Sequence, residues 1–155
     1  MKLPRQEEIW LVISVGVLVL SMVITGYQAF ALGMTPPSGT ETIDPQKVDE
    51  HEVFSEPGVY QTGENEYEVV MTLQMFSFTP GDIEIPAGST VEFIMTSKDL
   101  VHGFQIAGTN VNAMVTPGHI QTITETFEEP GEYLVICNEY CGAGHQHMST
   151  TITVK

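Results

Sequence analysis

The order of apolar and polar residues divides the chain into three stretches. From Ile9 to Met34 no residue is charged, and Ile9 to Thr25 (IWLVISVGVLVLSMVIT) is almost wholly apolar. About 20 such residues cross a bilayer as a helix, so residues 1–34 predict one transmembrane anchor. Residues 35–58 fall in a polar, Pro-rich stretch (GMTPPSGTETIDPQKVDEHEVFSEPG) that predicts a tether and an irregular entry to a domain. From residue 59 to 155 the pattern shortens to strands. Glu66 to Phe78 (EYEVVMTLQMFSF) is rich in β-branched and aromatic residues and stops at Pro80-Gly81. DIEIP follows, then TVEFIMTS, with Val91, Phe93 and Met95 on one face. HGFQIAG, NVNAMVTPG, HIQTITETF and GEYLVIC come next, and the closing MSTTITVK alternates cleanly. Seven or eight short strands, punctuated by turns every 8–12 residues or so, predict an all-β sandwich or small barrel. After the anchor no segment has a helical period.

The flanks orient the anchor. Lys2 and Arg5 precede it, while Glu41 and Asp44 follow it before the first basic residue, Lys47. The basic-side rule puts the N-terminus in the cytoplasm and the β-domain on the outer face of the plasma membrane. Ala29-Phe30-Ala31 also fits a signal-peptidase pattern that would leave Leu32 at the mature N-terminus. The apolar run is longer than a usual signal core, and Glu7 and Glu8 spoil a basic n-region, so the retained anchor is preferred. Either way the domain lies outside the cytoplasm.

Charge narrows the function. Beyond Met34 there are 18 Asp or Glu against three Lys and no Arg. Phosphate binding needs basic residues, so a nucleic-acid role is excluded. The acid suits two readings, steering of a basic protein partner or adaptation to a salty exterior, and composition does not choose between them.

The chemistry is concentrated in Cys137 to Met148, CNEYCGAGHQHM, which holds both cysteines, two of five histidines and one of eight methionines. Outside the cytoplasm two cysteines default to a disulfide. A Cys137–Cys141 bond would close a very short loop, which stabilises least, and would leave His145 and Met148 without purpose. Two thiolates, an imidazole and a thioether form a soft donor set that suits copper; zinc rarely takes thioether. Another imidazole is wanted from a different strand end. His102, where a turn enters HGFQI beside Gly103, is the first candidate, and His119 after Pro117-Gly118 the second. Alternation of the last strand points Met148 inward with Ile152 and Val154, and His147 outward. His51 reads as a solvated loop residue. Asp99, three residues before His102, either orients that imidazole or caps a turn. A dinuclear copper relay, a mononuclear cupredoxin carrier, a copper-delivery protein and a structural zinc or disulfide domain remain open on the residues alone.

The C-x-E-x-C-G-x-x-H-x-x-M loop, the upstream SxDxxHGF and the PGEY lead-in resemble subunit II of the haem–copper oxidases, the cytochrome c oxidases. The resemblance runs from the anchor to Val154. It implies a cupredoxin-like Greek-key β-barrel after one transmembrane helix. It also implies a dinuclear copper A centre held by His102, Cys137, the backbone carbonyl of Glu139, Cys141, His145 and Met148, with the two thiolates bridging two copper ions. The implied partners are a haem-containing subunit I, where oxygen is reduced and protons are pumped, and an outer electron donor, cytochrome c or a blue-copper protein. No oxygen chemistry falls to this chain. Three departures qualify the match. A single helix in place of a hairpin resembles B-type oxidases, in which a small single-helix subunit supplies the other. Trp10 in the anchor is the only tryptophan, so Phe76 and Phe78 stand as candidates for the docking patch. His119 stands where many members carry Arg after the Pro-Gly pair, so that Arg's contacts to subunit I are not implied. Glu139 keeps the acid that in related oxidases binds magnesium at the subunit interface.

Overall fold

The computed structural model describes residues 4–32 and 41–155. Lys2, residues 33–34 of the expected anchor and residues 35–40 of the expected tether lie outside the described residues. The chain divides into two compact units.

The first unit is one helix, α1 (Arg5–Ala31). Its 27 residues span about 40 Å at 1.5 Å per residue, more than the roughly 30 Å of a bilayer core. The hydroxyls inside it are paired locally: Ser21 Oγ donates to the Val17 carbonyl and Thr25 Oγ1 to the Ser21 carbonyl, each at 2.8 Å. Neither carries an unpaired polar group into an apolar surround.

The second unit is a sandwich of two five-stranded sheets. The first holds β1 (Gly58–Gly63), β2 (Glu66–Gln74), β5 (Ser89–Ser97) and β8 (Gln121–Phe127) in that order, with β3 (Ser77–Thr79) pairing β2. The second runs β4 (Ile83–Ile85), β10 (Ser149–Val154), β9 (Gly131–Ile136), β6 (His102–Ile106), β7 (Asn112–Val115). β2 with β5 and β4 with β10 are parallel; the other pairs are antiparallel. Period-two alternation builds the core. Val69, Met71 and Leu73 lie beside Val91, Phe93 and Met95, facing Phe104, Ile106, Val135, Ile152 and Val154 of the other sheet. Phe104 meets Phe93 and Phe78, and Phe127 meets Phe93.

Three details differ from the pattern reading. Ten strands form rather than seven or eight, because β1 carries few apolar residues and the short β3 is merged by the pattern with β2. Glu66 to Phe78 is not one strand: a turn at Met75-Phe76 folds it into a hairpin in which Gln74 opposes Ser77. The segment before residue 58 is more than an entry. It sends Ile43, Val48 and Phe54 into a second buried cluster with Val70 and Ile120. It is pinned by Ile43 N–H to Gly118 O at 3.1 Å and Ile120 N–H to Glu41 O at 3.0 Å. Spaced apolar residues in an acidic stretch hid this strap. His51 lies in it, its Nδ1 accepting from Val53 N–H at 3.3 Å.

β8 is an edge of the first sheet, and Glu125 on it opposes inward-facing Val91. An inward-pointing charge blunts an edge against pairing with another chain. Burial pushes the Glu125 carboxyl above its ordinary value.

Candidate metal centre

His102 opens β6 after the loop that leaves β5, whereas the Cys137–Met148 loop joins β9 to β10. Both lie at one end of the sandwich. The close approach depends on Gly103. A Cβ there would run into Asn138, 2.7 Å from its backbone nitrogen, so only glycine lets the residue after Cys137 lie against β6.

Cys137, Cys141, Met148 and His102 are all buried. The two sulfurs are 3.7 Å apart and unbonded. An imidazole flanks each: His102 Nδ1 is 3.9 Å from Cys137 Sγ, and His145 Nδ1 is 3.6 Å from Cys141 Sγ. The remaining donors are divided the same way, with the Glu139 carbonyl 3.1 Å from Cys137 Sγ and Met148 Sδ 3.6 Å from Cys141 Sγ. The ligand atoms of His102, Cys137 and Cys141 lie within 4.8 Å of one another. Six donors predicted from the sequence thus converge. His147 is exposed, as the alternation requires, and exposed His119 instead bridges to Thr42 through its backbone.

The donor set fits copper. Soft sulfur and borderline imidazole are brought together without a carboxylate ligand atom in the cluster, which disfavours hard cations. Burial, followed by the neighbouring Cys137, pushes the Cys141 thiol above its ordinary value. The Cys141 thiol is therefore costly to ionise until a cation compensates it.

Asp99 contacts both the His102 imidazole and the backbone of nearby turns. Its Oδ1 lies 2.8 Å from His102 Nε2, leaving Nδ1 to face the sulfurs. It also accepts from Met75 N–H and Leu100 N–H, each at 2.6 Å. Burial acts to raise its pKa, but the hydrogen bonds from His102, Met75 and Leu100 prevail and hold the carboxyl below its ordinary value. The two aromatic candidates part company. Phe76 is 44% exposed, whereas Phe78 is 6% exposed and packs edge-on against Phe104, so Phe78 is a core residue behind the surface. Met75, Leu100, Val101, Met114 and Tyr140 are exposed hydrophobics on the segments that carry or adjoin the site. Sequence reading missed most of them, since single exposed apolar residues in turns carry no periodic signal.

Comparison with known proteins decides the family. The family model described as cytochrome c oxidase subunit II, periplasmic domain, matches residues 66–155. The chain belongs to the cytochrome c oxidase subunit II family. One cytochrome c oxidase subunit 2 of Thermus thermophilus is 40% identical over 153 residues, 96% of this chain and 91% of the relative. A second Thermus thermophilus cytochrome c oxidase subunit 2 is 44% identical over 125 residues, 79% of this chain and 93% of the relative. Among solved structures, a chain of a heme-copper terminal oxidase dimer superposes with a TM-score of 0.84 at 33% identity, over 97% of this chain and 100% of its own. The periplasmic domain of subunit II of Bradyrhizobium japonicum cytochrome oxidase gives 0.53 at 17% identity, over 57% of this chain and 83% of its own, a likeness of cupredoxin-like fold alone. This chain is therefore a copper-binding, membrane-anchored subunit of an oxidoreductase complex.

Proposed function

We propose that the chain is the electron-entry subunit of its oxidase and that its copper is a dinuclear copper A centre. The observation that carries this reading is the symmetry of the donors: two free sulfurs at the middle, one imidazole nitrogen towards each, and one weak donor on each side. Its ligands are then His102, Cys137, the Glu139 carbonyl, Cys141, His145 and Met148, with both thiolates shared. Bound copper would supply reversible one-electron exchange. The chain's own residues hold those donors in a buried, rigid pocket, which keeps ligand rearrangement on reduction small. Asp99 is the positioning residue that fixes the His102 tautomer.

Electrons arrive from a cytochrome c or small blue-copper donor and leave to haem in subunit I. The donor docks on the apolar rim of Met75, Phe76, Leu100, Val101, Met114 and Tyr140. The N-terminus is cytoplasmic and the copper domain lies outside the plasma membrane. Residues 1–34 anchor the chain, and the copper domain runs from 59 to 155. Of the connecting residues 35–58, the part around Ile43–Phe54 belongs structurally with the domain. The Glu139 carboxylate is the candidate for interfacial magnesium, and a small single-helix subunit is the candidate neighbour of α1.

The test is copper loading of the full chain in detergent, followed by metal analysis and voltammetry. The reading expects two copper ions per chain and a reversible one-electron wave. One copper per chain would favour the mononuclear carrier, and no reversible wave would favour copper delivery.

A further inference from the structure

The turn between β2 and β3 touches both halves of the site. On one side Asp99 accepts from Met75 N–H at 2.6 Å through Oδ2 while Oδ1 holds His102. The Leu73 carbonyl adds a bond from Lys98 N–H at 3.0 Å, tying the same hairpin to the loop that carries His102. On the other side the Phe76 ring lies on the cysteine loop. A Cβ on Gly144 would sit 2.8 Å from that ring, and one on Gly142 3.5 Å from it, so two glycines leave the space that the ring fills. All this requires an unusual backbone. Phe76 has φ 69°, a left-handed conformation that a bulky residue seldom adopts without strain. Glycine or asparagine would fill the position without that strain, yet neither would supply a ring.

We propose that the Met75–Phe76 turn is a positioning device for the metal pair, with Phe76 as its working residue. The backbone anchors the turn to Asp99, and hence to His102. The ring caps the Gly142 and Gly144 side of the cysteine loop, next in the chain to half-buried His145, and keeps water off that side; the Tyr140 ring stands 5.9 Å from the His145 ring between centroids. Excluding water disfavours the more highly charged oxidised site, so the ring raises the reduction potential. This rests on the dinuclear reading above.

The experiment separates ring from backbone in the copper-loaded full chain, reading midpoint potential and EPR spectrum. Phe76→Gly suits the positive φ and deletes only the ring. It is expected to lower the potential and perturb the signal, and Phe76→Ala to do the same. Phe76→Tyr, which restores a ring, is expected to return both to the parent values. A Phe76→Gly protein that binds the parent amount of copper with unchanged potential and spectrum would overturn the inference while leaving the dinuclear reading intact. A parent chain that binds copper without a mixed-valence signal would overturn that reading, and the inference with it.

Discussion

At one end of the sandwich the turns read Met75-Phe76, Leu100-Val101 and the cysteine loop; at the other they read Glu64-Asn65, Ala87-Gly88 and Glu128-Glu129-Pro130. The second set is ordinary turn chemistry. Asn65 takes a positive φ of 63° and Gly88 one of 78°, conformations these residues tolerate. The backbone closes on itself there through Thr90 N–H to Asn65 O, Gly88 N–H to Phe127 O and Ala87 N–H to Lys155 O, each at 2.8 Å. The metal end keeps glycine at some positive-φ positions, Gly118 and Gly142, but departs at others. A phenylalanine takes a positive φ, apolar side chains face solvent, and a histidine is wholly buried against two unbonded cysteines. Only one end of the fold breaks local preference, and that end carries the chemistry.

The contrast is broken most completely by removing a shared sulfur. Cys141→Ser is expected to abolish the two-copper site, with metal analysis reading at most one copper per chain while the far-end turns stay intact by amide exchange. Next in size is Gly103→Ala, which forces the cysteine loop off β6. Overpacking of this kind costs about 1–3 kcal/mol, and thermal melts should show it together with weakened copper retention. The matching change at the other end, Gly88→Ala, meets no atom within 4 Å and loses stability only through its backbone conformation.

Glu125 gives a smaller, pH-dependent effect. Its pKa is raised above the ordinary 4.5, so the folded chain keeps that proton to higher pH than the unfolded chain does. Stability from this group is greatest below the unfolded value and falls as the pH rises through the folded one. Glu125→Gln should therefore gain about 0.5 kcal/mol at neutral pH and little in acid, as expected for a partly exposed position. Melts across that pH range check the sign. Smallest is the double change Glu128→Lys and Glu129→Lys. β2 alone has nine residues, so the two ends are about 30 Å apart, against a screening length of about 8 Å at physiological salt. Electron uptake from the donor should stay within about twofold of the parent in stopped-flow assays at that salt.

The same contrast explains what the sequence made legible. Strands with strict alternation, such as Ser149–Val154, and turns marked by Pro-Gly pairs were readable because burial on one face imposes period two. The donors were readable because soft ligands at fixed spacing on one loop have little other use. The Met75-Phe76 turn was not, since it lacks glycine, asparagine and proline and looks like continuous strand. Phe78 was misplaced with it: the turn moves Phe76 to the surface and leaves Phe78 opposite Leu73 in the core. The strap was hidden because Ile43, Val48 and Phe54 follow no strand or helix period, and only the outer face of the first sheet gives them a partner.

The central claim is that Cys137 and Cys141 share two copper ions between His102 and His145. The most direct test is the EPR spectrum of the copper-loaded full chain and of its His102→Ala variant. The account predicts a delocalised mixed-valence signal from two coppers in the parent, lost in the variant. A parent signal from a single copper nucleus, or a mixed-valence signal that survives His102→Ala, would contradict it.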